Sequence, residues 1–255
     1  MNTEIIKWRR LLKETVEDYF SVGITSRIGL EKLDEMYSDK SKDIVVPWSG
    51  GMDSTYLLAS LAYKYGTRKR PVVAVTVCSE NIAQRANERK ARRKLRRIFK
   101  KLNLHIVYSN SQQNLNHCKY LCDKSSGIQL GQPAMWAGIM PILSNGNCIV
   151  NFAYIKGDDI WHVMESFKRA FSSIAEILGL QLDLVFPMEY TSKAHIYLAL
   201  KQMQLLDYTW YCESDANEPC GFCSSCLKVK HVERDIEETI GTGSEISDVL
   251  DEVKQ

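Results

Sequence analysis

The sequence predicts an α/β protein built on a doubly wound parallel sheet, and three observations carry that expectation. Strand and helix patterns alternate through residues 44–108. The run Pro71-Val72-Val73-Ala74-Val75-Thr76-Val77 is almost continuously apolar and β-branched, as in a strand covered on both faces. A glycine pair directly follows the first strand and leads into a helix.

Residues 4–20 read as an amphipathic helix, because Ile5, Trp8, Leu12, Val16 and Tyr19 recur at spacings of three and four. A second short helix is expected over 28–40. Residues 1–43 are therefore taken as an N-terminal helical appendage, packed on the main domain or on a partner. Ile44–Trp48 is the first strand, and Thr55–Tyr65 the helix after it, with Gly66 placed to end it. The strand at 71–77 precedes a basic helix from Ile82 to Lys101. A strand at His105–Tyr108, a helix at Pro133–Leu143 and a strand at Cys148–Ile155 follow. Helices at Val163–Leu178 and Lys193–Gln204 complete a main domain over 44–205, and residues 206–255 form a C-terminal metal-binding and helical segment.

The 255 residues are 45% hydrophobic and 25% charged, with 33 Lys+Arg against 31 Asp+Glu, which is globular usage and excludes general disorder. No apolar run approaches the roughly 20 residues that span a bilayer, so a soluble, cytoplasmic protein without membrane contact is expected. Arg85–Lys101 holds ten basic residues and one acid, Glu88. Two readings stay open for it: a solvated helix with charges all round, or a stripe that meets nucleic-acid phosphates.

Ser49-Gly50-Gly51-Met52-Asp53-Ser54-Thr55 has the makings of an anion seat. Paired glycines let successive backbone N–H groups converge, and a helix N-terminus adds unpaired donors and partial positive charge. Ser49, Ser54 and Thr55 offer hydroxyls to the same oxygens, while Asp53 is placed to cap the helix or hold Mg²⁺. The loop is not a Walker motif, lacking Gly-Lys-Ser/Thr, nor a dinucleotide fingerprint, lacking a third spaced glycine.

Four of the eight cysteines, Cys212, Cys220, Cys223 and Cys226, form C-x7-C-x2-C-x2-C. Short Cys-x2-Cys steps bring two thiolates to one ion, and four thiolates suit tetrahedral structural Zn²⁺. An iron–sulfur cluster is the rival occupant. Asp158 and Asp159, beyond the strand at Cys148–Ile155, suit either a substrate corner or a helix cap.

Ser-Gly-Gly-x-Asp-Ser resembles the pyrophosphate (PP) loop of the N-type ATP pyrophosphatases. Trp210-Tyr211-Cys212 and Pro219-Cys220-Gly221-Phe222-Cys223-Ser224-Ser225-Cys226 resemble the zinc end of the 7-cyano-7-deazaguanine synthases within that superfamily. Thr191-Ser192-Lys193-Ala194, and loosely Gln84-Arg85, are similar to other segments of the same family. The resemblance covers residues 44–230, more closely at its ends than between. It implies ATP as co-substrate with Mg²⁺, adenylation of the carboxylate of 7-carboxy-7-deazaguanine, and reaction with ammonia to amide and nitrile. It also implies Lys193 at the phosphates and a tendency to form homodimers.

Three features depart from that family. Gln132-Pro133-Ala134-Met135-Trp136 replaces V-P-x-R-N, the substrate segment Y-P-D-C-R-P-E-F is missing, and residues 1–43 have no counterpart. Three other readings therefore stand beside the synthase. They are a divergent relative of phage or anti-phage defence acting on another acceptor, a tRNA-modifying PP-loop enzyme, and a nucleotide sensor without turnover. A thiolase would need catalytic cysteines, for which Cys118 and Cys122 are the available pair.

Overall fold

The computed structural model describes residues 3–23, 28–78, 84–112, 131–144, 146–213 and 217–241. Its centre is a five-stranded parallel sheet in the order β3-β2-β1-β4-β5, comprising β1 (Asp43–Pro47), β2 (Val72–Cys78), β3 (Ile106–Gln112), β4 (Cys148–Asn151) and β5 (Leu182–Val185). The expected doubly wound architecture is present. β4 ends at Asn151, four residues short of the expected strand, and β5 is an element the sequence reading left out.

Side chains alternate across the sheet because successive strand residues face opposite ways. Ile44, Val46, Trp48, Val72 and Ala74 enter the core on one face, whereas Val45, Val75, Cys148 and Val150 enter the core on the other. The first face carries α1 (Thr3–Gly23), α2 (Leu30–Ser38), α3 (Met52–Lys64), α4 (Gln84–Lys101), α7 (Lys193–Gln202) and α8 (Ser224–Gly241). The second carries α5 (Gly131–Leu143) and α6 (Met164–Ile177). Helix layers on both sides explain why the central strands are apolar without alternation.

The N-terminal helices contribute to this common core. Leu12, Val16, Leu33 and Tyr37 are buried in it, and α1 packs on α7 and α3. Trp8 Nε1 donates to Gln204 at 2.8 Å, and the Tyr37 hydroxyl donates to Asn151 Oδ1 at 2.6 Å, tying α2 to β4. Among the described residues no helix is long and apolar enough to cross a membrane.

α4 sorts its charges instead of spreading them evenly. Ala91, Leu95, Ile98 and Phe99 are buried, and Arg92 is buried with them at 5% exposure, while Arg89, Lys90, Arg93, Lys94, Arg97, Lys100 and Lys101 are exposed. The expectation of charges all round the helix is corrected accordingly: an 18-residue helix on a sheet must surrender one face to the core.

Candidate nucleotide site and cysteine cluster

The strand order reverses between β1 and β4, and α/β sheets bind ligands at such a point beyond the carboxyl ends of their strands. The turn from β1 to α3 lies there. A cleft of about 320 Å³ opens above it, lined among others by Ser49, Gly51, Asp53, Ser54, Asp158 and Asp159.

Within the turn, Gly50 has φ +91°, a left-handed conformation that disfavours any residue with a Cβ. The Gly51 amide donates to Ser49 Oγ at 3.1 Å, and Ser49 Oγ lies 3.1 Å from Ser54 Oγ. Two serine hydroxyls and a helix N-terminus thus meet at one point, an arrangement suited to phosphate oxygens. Met52 and Thr55 belong to the loop by sequence but turn their side chains into the core. Met52 is 1% exposed and Thr55 fully buried, its Oγ1 accepting from Trp48 Nε1 at 3.1 Å. The expected Thr55 hydroxyl is therefore withdrawn from the anion seat, because the fourth residue of α3 faces the sheet. Its contribution is to fix Trp48, whose carbonyl accepts from Thr76 Oγ1 at 3.0 Å.

Asp53, on the cleft wall, pairs with Lys193. Lys193 opens α7, whose N-cap Ser192 accepts from the His195 amide, and its Nζ lies 2.7 and 2.8 Å from the two Asp53 carboxylate oxygens. The sequence suggests a cap or Mg²⁺ role for Asp53 and, by resemblance, Lys193 at the phosphates; the structure brings the two together from 140 residues apart. Asp158 Oδ2 accepts from the Ile155 amide at 2.8 Å. Burial, and secondarily the Asp53 charge, push the Asp158 carboxyl up to about 6.

The cysteines converge as their spacing requires. The Sγ atoms of Cys212, Cys220, Cys223 and Cys226 all lie within 4.8 Å of one another, with 4.0 Å between those of Cys220 and Cys226. A tetrahedral ion with sulfur ligands at about 2.3 Å sets its thiolates about 3.8 Å apart, so the group fits one ion. A cubane of four irons would need the thiolates spread further. Backbone amides of Cys220, Cys223 and Cys226 donate to neighbouring sulfurs at 3.3–3.4 Å, which favours thiolates. The Phe222 amide, foremost, draws the Cys220 thiol below its usual range.

Several contributions to the site escaped sequence reading, although Trp210, Ser224 and Ser225 belong to the cysteine motif it quoted. Glu213, Ser224, Ser225 and Lys228 extend the cysteine segment into the cleft wall, and Ser225 Oγ donates to Glu213 Oε1 at 2.9 Å. Trp210, two residues before Cys212, donates its amide to the Gly50 carbonyl at 3.0 Å. Arg92 donates from Nη1 to the Ser49 carbonyl. For Arg92 a signal existed: on a helical wheel it flanks Leu95 and Phe99 of the apolar stripe. Cys118 and Cys122 lie outside the described residues, as do the side chains of Gln84, Arg85 and Gln132.

No protein-family profile and no curated protein matches the sequence. Among solved structures, U34-tRNA thiolase NcsA from Methanococcus maripaludis, with its 4Fe–4S cluster, is similar over 91% of this chain and 74% of its own, at 13% identity and a TM-score of 0.50. The likeness is one of fold.

Proposed function

We propose that this chain is an ATP-dependent enzyme that activates an acceptor by adenylation, releasing pyrophosphate from the Ser49–Ser54 loop. The observation that carries the reading is the loop itself: two hydroxyls, a helix N-terminus and Asp53 gathered on one cleft at the switch point of the sheet, with Lys193 paired to Asp53. In the synthase-like form, a carboxylate oxygen of the acceptor attacks the α-phosphorus and the bond to the β-phosphate oxygen breaks. Ammonia then attacks the acyl carbon and gives up a proton, the acyl C–O bond breaks, and AMP leaves carrying the former carboxylate oxygen. The loop amides and the hydroxyls of Ser49 and Ser54 stabilise the charge that gathers on the departing pyrophosphate. Lys193 supplies a cation at the same edge. Asp53, with Asp158 beside it, would hold Mg²⁺, which when bound neutralises phosphate charge. The four cysteines would hold structural Zn²⁺ and keep Glu213, Ser225 and Lys228 in the cleft wall. The preferred acceptor is 7-carboxy-7-deazaguanine.

A second reading, a tRNA-modifying enzyme, is favoured by the seven exposed cations among the described side chains of α4 and by the fold shared with a tRNA thiolase. Against the thiolase form, no cysteine lines the cleft among the described residues.

The test is incubation with ATP, Mg²⁺, ammonium and 7-carboxy-7-deazaguanine, read by mass spectrometry. Amide or nitrile with stoichiometric AMP supports the synthase; AMP formed only with other acceptors moves the reading to a divergent ligase. Tight tRNA binding that weakens steeply with salt and is lost in an Arg93→Glu/Arg97→Glu double variant supports RNA modification. Absence of ATP binding sinks both readings.

A further inference from the structure

Arg92 is an unusual occupant of a helix–sheet interface: a guanidinium at 5% exposure inside the layer that carries Leu95 and Phe99. Burying such a cation is costly unless its donors are used. Its Nη1 donates to the Ser49 carbonyl and lies 3.4 Å from Glu88 Oε2, one turn earlier on α4. Both partners bear on the phosphate loop. A Cβ built on Gly50 would stand 2.8 Å from Arg92 Cγ and 3.2 Å from the Glu88 carbonyl oxygen, so α4 lies directly against the turn.

The peptide link makes this contact directional. A planar trans peptide points its C=O and the following N–H opposite ways. Holding the Ser49 carbonyl toward α4 therefore turns the Gly50 amide away from α4. The next peptide is held from the other side, where the Gly50 carbonyl accepts from the Trp210 amide at 3.0 Å. Both carbonyls of the glycine turn are thus engaged by segments outside it, and the orientation of its amides is set before any ligand arrives.

We propose that Arg92 is a positioning residue for polyphosphate binding: it touches no nucleotide, but through the Ser49 carbonyl it fixes the direction of the loop amides that receive the β- and γ-phosphates. This role rests on the reading of the loop as a pyrophosphate seat. It explains why a basic helix spends one of its arginines inward, and why residue 50 must be glycine on two counts, its φ and the Arg92 stem beneath it.

The test compares wild type with Arg92→Met, Arg92→Lys and Glu88→Gln. ATP and inorganic pyrophosphate binding are measured by calorimetry, KM and kcat by AMP release, and stability by thermal unfolding. A hydrogen bond from a charged donor is worth enough to shift binding about tenfold or more. Arg92→Met should weaken pyrophosphate and ATP binding by about that factor and raise KM for ATP, with KM for the acceptor unchanged. Arg92→Lys should recover part of the loss, and Glu88→Gln should show a smaller shift in the same direction. Should Arg92→Met fail to fold, Arg92→Lys and Glu88→Gln decide the matter by the same split. Unchanged affinity in folded variants, or an equal loss for ATP and acceptor, overturns the role while leaving the nucleotide site intact. A wild type that binds neither ATP nor pyrophosphate overturns the loop reading and this role together.

Discussion

The phosphate loop and the cysteine knuckle flank one cleft, yet different forces hold them. The loop is wedged between α4 and the Trp210 segment, with backbone and side-chain hydrogen bonds to Ser49 and Gly50 and the buried Trp48 beneath it. The knuckle has little apolar support around its turn. Phe222 is 75% and Leu227 45% exposed, and the contacts that join its four cysteines run from sulfur to sulfur or from amide to sulfur. A packed element keeps its shape without a ligand. An element organised around four thiolates repels itself unless a cation sits among them. The two meet at Trp210, so the ion-dependent region supports the packed one.

The sharpest way to break this contrast is to remove a ligand. Cys226→Ser takes away a buried sulfur from a site whose proposed ion would contribute on the order of 10 kcal/mol to local folding. Metal content and melting temperature should fall together, and ATP affinity should decline with them through Trp210. A wild type of normal stability that carries no metal would refute the knuckle. The converse experiment leaves the shape and removes the chemistry. Asp53→Ala should retain the fold and its metal, while AMP formation falls by a factor on the order of 10² or more. Full turnover in that variant would contradict the loop assignment.

Gly50→Ala strikes at packing rather than charge. A left-handed φ and a 2.8 Å approach to Arg92 Cγ should cost about 1–3 kcal/mol of stability, read by denaturant unfolding. Metal content should not change, which separates the two regions. The last effect concerns pH. The Asp158 carboxyl is raised to about 6, chiefly by burial and then by Asp53, against 3.8 for an ordinary aspartate. The folded protein therefore holds a proton that the unfolded chain has lost between these values. Stability should fall as pH rises from about 4 to 6, because ionising Asp158 in place is unfavourable. Asp158→Asn should flatten that part of the profile, and an unchanged slope would assign it to other groups.

Much of the loop was legible in the sequence because its chemistry is local. Ser49, the glycine pair, Asp53 and Ser54 follow one strand and open one helix, so spacing alone sets them at a common point. The cysteines were legible for the same reason. Three features were not. β5 has four residues and little apolar contrast with its surroundings, below the length at which alternation speaks. Thr55 sits beside true cleft residues, and only the rotation of α3 against the sheet decides that its hydroxyl faces Trp48. Arg92 stands among ten basic residues of one stretch; its place beside Leu95 and Phe99 on the helical wheel hints at the inward side, but its bond to the Ser49 carbonyl comes only from tertiary packing.

The Asp53–Lys193 pair joins residues 140 positions apart. During synthesis at roughly 5–20 residues per second, the glycine turn leaves the ribosome on the order of ten seconds before its lysine is made. A nascent chain can assemble its first strands and helices in that interval without a finished phosphate seat. Prematurely terminated products ending before residue 193 are thus denied the completed grip, whatever share of the sheet they manage to build.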